Sequence, residues 1–122
     1  MEWEVEYTDE FETFWDDLSV EQQEALDQRV ALLAQRGPSL KRPVVGEIKG
    51  SKNDPQMKEL ICETEGAHLR VLFIFDPRRT AILLTGGDKS GSWKSWYREA
   101  IPEADRLYDE HLKEINEEDS SS

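Results

Sequence analysis

The 122-residue chain holds one cysteine, Cys62, so no disulfide can form within it, which fits a reducing compartment. Its two histidines, His68 and His111, and that single cysteine have no paired spacing of the kind a zinc site uses, so no metal is expected. No apolar run approaches the roughly 20 residues of a membrane span, and the acidic start MEWEVEYTDE is unlike any signal peptide. A soluble cytoplasmic protein with no membrane partner is expected. Internal repeats are absent, and Gly86-Gly87 is too short for a phosphate-binding fingerprint and reads as a turn. What remains is one domain, residues 1–116, large enough for a single core, followed by an acidic, serine-rich tail, 117–122, expected to be disordered.

Positive charge is also scarce: 15 Lys and Arg stand against 27 Asp and Glu, a net charge of −12. That balance excludes a general nucleic-acid binder, but the charge is unevenly placed. Residues 1–35 carry 11 acids and one base, residues 36–98 carry 12 bases and seven acids, and residues 99–122 carry nine acids and two bases. A basic middle between acidic ends fits either a local anion-facing surface or a solvated charged face with no ligand.

Trp3-Glu4-Val5-Glu6-Tyr7 alternates with the period of a half-buried strand. Thr8 is an N-cap for a first helix that puts Phe11, Phe14, Trp15 and Leu18 on one side, where they read as core. Ser19 and Gln22 have capping-box spacing before a second helix that Gly37-Pro38 ends. Short strands follow near Val44–Lys49 and over Met57–Thr64. Leu69 to Phe75 and Ala81 to Leu84 flank Asp76-Pro77-Arg78-Arg79 as a hairpin. Both arms are apolar at odd and even positions alike, so both should be covered on two faces, with Arg70 threaded into that interior. Trp93 to Glu99 can form a short helical segment, and Pro102 suits the first turn of a separate last helix. The expected class is α+β: an N-terminal strand and helical hairpin packed on a mainly antiparallel four-stranded sheet, with a C-terminal helix.

Met57-Lys58-Glu59-Leu60, the run Leu69 to Arg79, Ala81-Ile82-Leu83-Leu84, Gly87-Asp88-Lys89, Trp96-Tyr97-Arg98 and Ala100-Ile101-Pro102 together resemble the phage-derived, HigB-like branch of the RelE/ParE toxin superfamily. The resemblance covers about residues 3 to 113. It implies a RelE-like fold and a type II toxin: a ribosome-dependent messenger-RNA endonuclease working in the 70S A site without a metal or other cofactor. A HigA-like helix-turn-helix antitoxin would neutralise it, and DNA would be met only through that antitoxin.

Such chemistry attacks a phosphate with the adjacent ribose 2′-hydroxyl and needs a base, a cation, an acid and a stacking surface. The resemblance places Arg70 at the phosphate, Lys89 as acid or electrostatic clamp, and Tyr97 or Trp93 as the stacking or proton-donating aromatic. Glu59 is a candidate base, with Lys58 as the remaining cation of its strand. Lys49, Lys52, Arg78 and Arg79 are candidate RNA contacts. Each has a plainer alternative: Arg70 paired with Glu63 or Glu59 across the sheet, loop lysines in solvent, and aromatics packing the last helix. Two further functions stay open, a non-nucleolytic ParE-like gyrase inhibitor and a degenerate module that only binds the antitoxin.

Overall fold

The computed structural model describes residues 2–120. The first strand, β1 (Val5–Tyr7), leads into α1 (Asp9–Asp16), whose N-cap Thr8 accepts a hydrogen bond from the Phe11 amide at 3.0 Å. A reciprocal capping box between Ser19 and Gln22 opens α2 (Val20–Arg36). A single 3₁₀ turn, Gly37–Ser39, follows. Then come β2 (Val45–Glu47), β3 (Lys58–Thr64), β4 (Ala67–Phe75), β5 (Ala81–Asp88) and α3 (Trp93–Ser120).

The sheet has five strands in the order β1-β5-β4-β3-β2, one more than the four expected. The extra member is the N-terminal strand: it lies parallel to β5, with Val5 opposite Ala81, after the α1–α2 hairpin has carried the chain across. All other pairs are antiparallel. The two-residue turn Glu65-Gly66, with Gly66 at φ 81°, fixes the register between β3 and β4. Ile61 thereby stands opposite Arg70, and Glu63 opposite His68.

Helices cover both faces of the sheet, which is why β4 and β5 are apolar at successive positions. Against α1 and α2 lie Leu60, Cys62, Leu69, Val71, Phe73 and Leu83, closed over by Phe11, Leu26 and Leu33. Against α3 lie Met57, Leu72, Ile74, Ile82 and Leu84, closed over by Ala104 and Leu107. Val71 and Leu72 are neighbours in sequence, face opposite ways, and are both completely buried.

Gly86 and Gly87 are not a turn. Both belong to β5, and each makes room for a ring. A Cβ on Gly86 would stand 2.6 Å from Phe14 of α1, and one on Gly87 would stand 2.1 Å from the indole nitrogen of Trp96 on α3. Two consecutive strand residues thus admit a close helix approach on each face. Gly87→Ala is expected to push Trp96 off the sheet and lower stability by about 1–3 kcal/mol, read as a lower urea midpoint.

The C-terminal helix also differs from the expected pair of segments, because α3 is continuous and Pro102 lies inside it. Proline removes one intrahelical donor. The buried row of Ala100, Ile101, Ala104 and Leu107 runs past it against the sheet and keeps the helix in register. Residues 117–120 continue the helix, since nothing after Pro102 breaks it and propagation adds a bond per residue, while 121–122 lie outside the described residues. No helix among the described residues is long and apolar enough to cross a membrane.

Candidate functional site

Alternation along β3 and the observed register put Glu59, Ile61 and Glu63 on the same face as Arg70, the face that α3 covers. Arg70 is 6% exposed and Glu59 5%. The Arg70 guanidinium donates to Glu63 Oε1 at 2.7 Å and to the Leu69 carbonyl at 2.9 Å. Its Nε is buried without a hydrogen-bond partner among the described residues, 3.9 Å from Glu59 Oε1. That same carboxylate oxygen accepts a hydrogen bond from the Tyr97 hydroxyl at 2.5 Å. The outcome is a chain Glu63–Arg70–Glu59–Tyr97 running from the rim of the sheet to the first turns of α3.

Burial, and then the hydrogen bond to the Glu59 carboxylate, push the Tyr97 phenol well above its ordinary value, so it holds its proton at neutral pH. At the other end, burial alone would raise the Glu63 carboxyl. Hydrogen bonds from His68 and Arg70 outweigh it and hold that carboxyl below its usual range.

Above this floor opens a cleft of about 400 Å³ lined by Arg42, Glu47, Ile48, Lys49, Glu59, Lys89, Trp93, Tyr97 and Ile101. Lys89 Nζ lies 5.8 Å from the centre of the Tyr97 ring, and Trp93 is 51% exposed with Lys94 Nζ 5.5 Å from its centre. The loop carrying Lys89 is ordered by Asp88, whose Oδ1 accepts from the His68 amide at 3.0 Å and from the Ser90 amide and hydroxyl at 2.9 and 2.6 Å. The Lys89 amide in turn donates to the His68 carbonyl at 3.0 Å. Cation, flat aromatic and buried carboxylate therefore share one concavity.

Of the residues singled out in the sequence, Glu59, Lys89, Tyr97, Lys49 and Trp93 line this cleft, and Arg70 braces its floor. Lys58 does not belong: it alternates to the other face of β3 and pairs with Glu47 at 3.5 Å. Lys52 is engaged by Asp109 of α3, in a loop that Asp105 fastens through Ser51 at 2.6 Å and Asn53 at 2.8 Å. Arg78 is held by Asp76 at 2.8 Å and Glu6 at 2.9 Å. Arg79, at φ 67° in the hairpin turn, lies 4.7 Å from the centre of the Trp3 ring. That turn joins the ends of β4 and β5 remote from Arg70, about 15 Å away by strand rise. Arg42 is a site residue that carried no sequence signal, an unremarkable loop cation that the fold brings to the cleft.

Residues 13–109 match the family described as Phage derived protein Gp49-like (DUF891). Two relatives from Mycobacterium tuberculosis are similar. The first, named as toxin HigB2, is 40% identical over 89 residues, 72% of this chain and 44% of that protein. The second, named as toxin HigB3, is 51% identical over 77 residues, 63% of this chain and 65% of that protein. The chain thus spans about half to two thirds of the length of these relatives. Among solved structures, a mutant of the E. coli toxin RelE in the free state superposes with a TM-score of 0.56 at 13% identity, covering 94% of this chain and 99% of that one. The intact E. coli RelBE toxin–antitoxin complex matches with a TM-score of 0.52 at 9% identity, over 70% of this chain and 94% of that one. At such identities the likeness is one of fold.

Proposed function

The chain belongs to the phage-derived Gp49-like family and carries the RelE fold, and from that premise we propose that it is the toxin of a toxin–antitoxin pair that cuts messenger RNA in the ribosomal A site. The observation that carries this reading is the cleft under α3, where Arg42, Lys49 and Lys89 line one concavity with Trp93 and Tyr97. The family relatives named as toxins support the general role, and the fold match to a toxin–antitoxin complex supports an antitoxin partner. That partner is proposed to be a HigA-like helix-turn-helix protein in the same cytoplasm, which would bring DNA contact with it.

The proposed step breaks an RNA chain by attack of a ribose 2′-oxygen on the adjacent phosphorus. As the P–O2′ bond forms, the 2′ proton passes to the Tyr97 oxygen and the Tyr97 proton to Glu59, so the phenol is never a free phenolate. The P–O5′ bond breaks, and the leaving 5′-oxygen takes a proton from Lys89. The products are a 2′,3′-cyclic phosphate and a 5′-hydroxyl. Lys49 and Arg42 offset charge on the non-bridging oxygens, and Trp93 offers a plane for a splayed base. Arg70 is a positioning residue here: buried and paired, it aims Glu59 rather than meeting phosphate.

Lys89→Ala is expected to slow cleavage by about 100-fold while stability stays within about 0.5 kcal/mol. Expression of wild type and this variant in a host without the antitoxin tests the reading, with growth as readout. Arrest by wild type and growth with Lys89→Ala support it; equal arrest, accompanied by DNA damage, favours a gyrase inhibitor of the ParE kind. No arrest by either would leave only an antitoxin-binding module.

A further inference from the structure

On the face opposite the cleft, a groove of about 500 Å³ runs between β1, α1 and α2. Its floor is an aromatic series: Tyr7 lies 5.9 Å from Phe11, and Phe11 lies 6.4 Å from Trp15, centre to centre. Phe11 is buried, whereas Tyr7 is 59% exposed at the mouth. Its rim is acidic, made by Glu12, Asp16 and Asp27, and among the described residues none of these three has an ion-pair partner. Beside the groove, β1 ends the sheet with no strand on its outer side among the described residues.

We propose that this groove binds an extended, cationic segment of a partner protein, which joins the free edge of β1 as a further strand. It would set one bulky apolar side chain among Tyr7, Phe11 and Trp15, and turn Lys or Arg toward Glu12, Asp16 and Asp27. Three observations converge on this occupant. A sheet edge supplies main-chain pairing and thereby favours an extended peptide. An aromatic floor supplies a pocket for every second side chain. Unpaired carboxylates in a segment with 11 acids and one base select a cation by charge, and the same charge repels both nucleic acid and a second copy of this chain. The groove lies across the sheet from the Lys89 cleft, so an occupant here leaves that cleft open.

The test uses the full chain and a fluorescent nine-residue probe alternating lysine with isoleucine around one central phenylalanine. Binding is read by anisotropy and mapped by amide chemical shifts. The expected result is saturable binding with shifts at β1 and α1, weakened at least tenfold by Glu12→Lys with Asp16→Lys. The same two charge changes at the exposed Glu99 and Glu114 should leave it unchanged. N-methylation of alternate probe amides, which touches nothing in the protein, should weaken it at least tenfold as well. No binding at millimolar probe overturns the proposal. So do shifts centred on Lys49 and Lys89, equal binding of a glutamate-for-lysine probe, or indifference to N-methylation. Because none of these readouts involves RNA or growth, failure here and failure of the nuclease reading are separate events.

Discussion

Arg70→Ala is expected to lower folding stability by about 3–5 kcal/mol, because it strands a buried carboxylate. Glu59 is 5% exposed and sits 3.9 Å from the Arg70 Nε; with the guanidinium gone, it would lose its buried ion-pair partner and keep the hydrogen bond from the Tyr97 hydroxyl. Glu63, at the half-exposed rim, can turn to water and should matter less. Arg70→Lys should recover little, since one ammonium cannot serve Glu63, the Leu69 carbonyl and Glu59 in the geometry a guanidinium spans. Replacing Glu59 by Gln in the Arg70→Ala background removes the stranded charge and should recover a large part of the loss. Urea unfolding of the two single variants and the double gives the coupling directly. If Arg70→Ala moved the midpoint no more than a surface substitution, Glu59 would have to be solvated and the floor of the cleft open to water.

Asp76→Ala should cost a similar amount, about 3–5 kcal/mol, at the opposite end of the hairpin. The Asp76 side chain is fully buried and accepts from the amides of Arg78 at 2.9 Å and Thr80 at 3.0 Å, from Arg78 Nε at 2.9 Å, and bonds His111 Nε2 at 2.9 Å. It closes the β4–β5 turn and fastens α3 to it. Burial alone would raise its carboxyl, but the bonds from His111, Thr80 and Arg78 prevail and hold it below the ordinary range. The sign of the pH dependence follows. A carboxyl depressed in the folded state contributes fully above its unfolded value, about 3.9, and that contribution is lost as pH falls through the folded value. Stability of the wild type should therefore fall with acid below about pH 4. Asp76→Asn should flatten the curve there, leaving the shares of Glu63 and Asp88, which are depressed in the same direction. A curve of unchanged steepness in Asp76→Asn would show that other carboxyls govern acid unfolding.

Much of the fold could be read from local chemistry. Thr8 and the Ser19–Gln22 pair mark helix starts by hydrogen bonds that close within three residues, so the sequence contains both partners. The unbroken apolar run in β4 announced two covered faces for the same reason: each face is written in alternate letters. Partners distant in sequence were illegible. Nothing in Lys52 or Arg78 points to Asp109 or Glu6, the carboxylates that the fold sets against these two candidate RNA ligands. Lys58 and Glu59 differ by one residue and therefore by one face of the sheet, a parity set by the length of the Glu65-Gly66 turn. Gly86-Gly87 spells a turn as readily as a strand pressed by two helices, and only the positions of Phe14 and Trp96 distinguish the two. In the site, the structure brings Arg70, Glu59 and Tyr97 together, and the burial of Arg70 and Glu59 required the third dimension.

The proposed nuclease reading requires the cleft holding Lys89, Tyr97 and Glu59 to cut translated RNA. The most direct measurement is a map of transcript ends, with their end chemistry, in cells expressing the wild type beside Lys89→Ala. The expected result is new 5′-hydroxyl ends inside translated codons, matched by cyclic-phosphate 3′ ends, in the wild type and not in the variant. Growth arrest with messenger RNA intact, or ends that persist unchanged in Lys89→Ala, would contradict it.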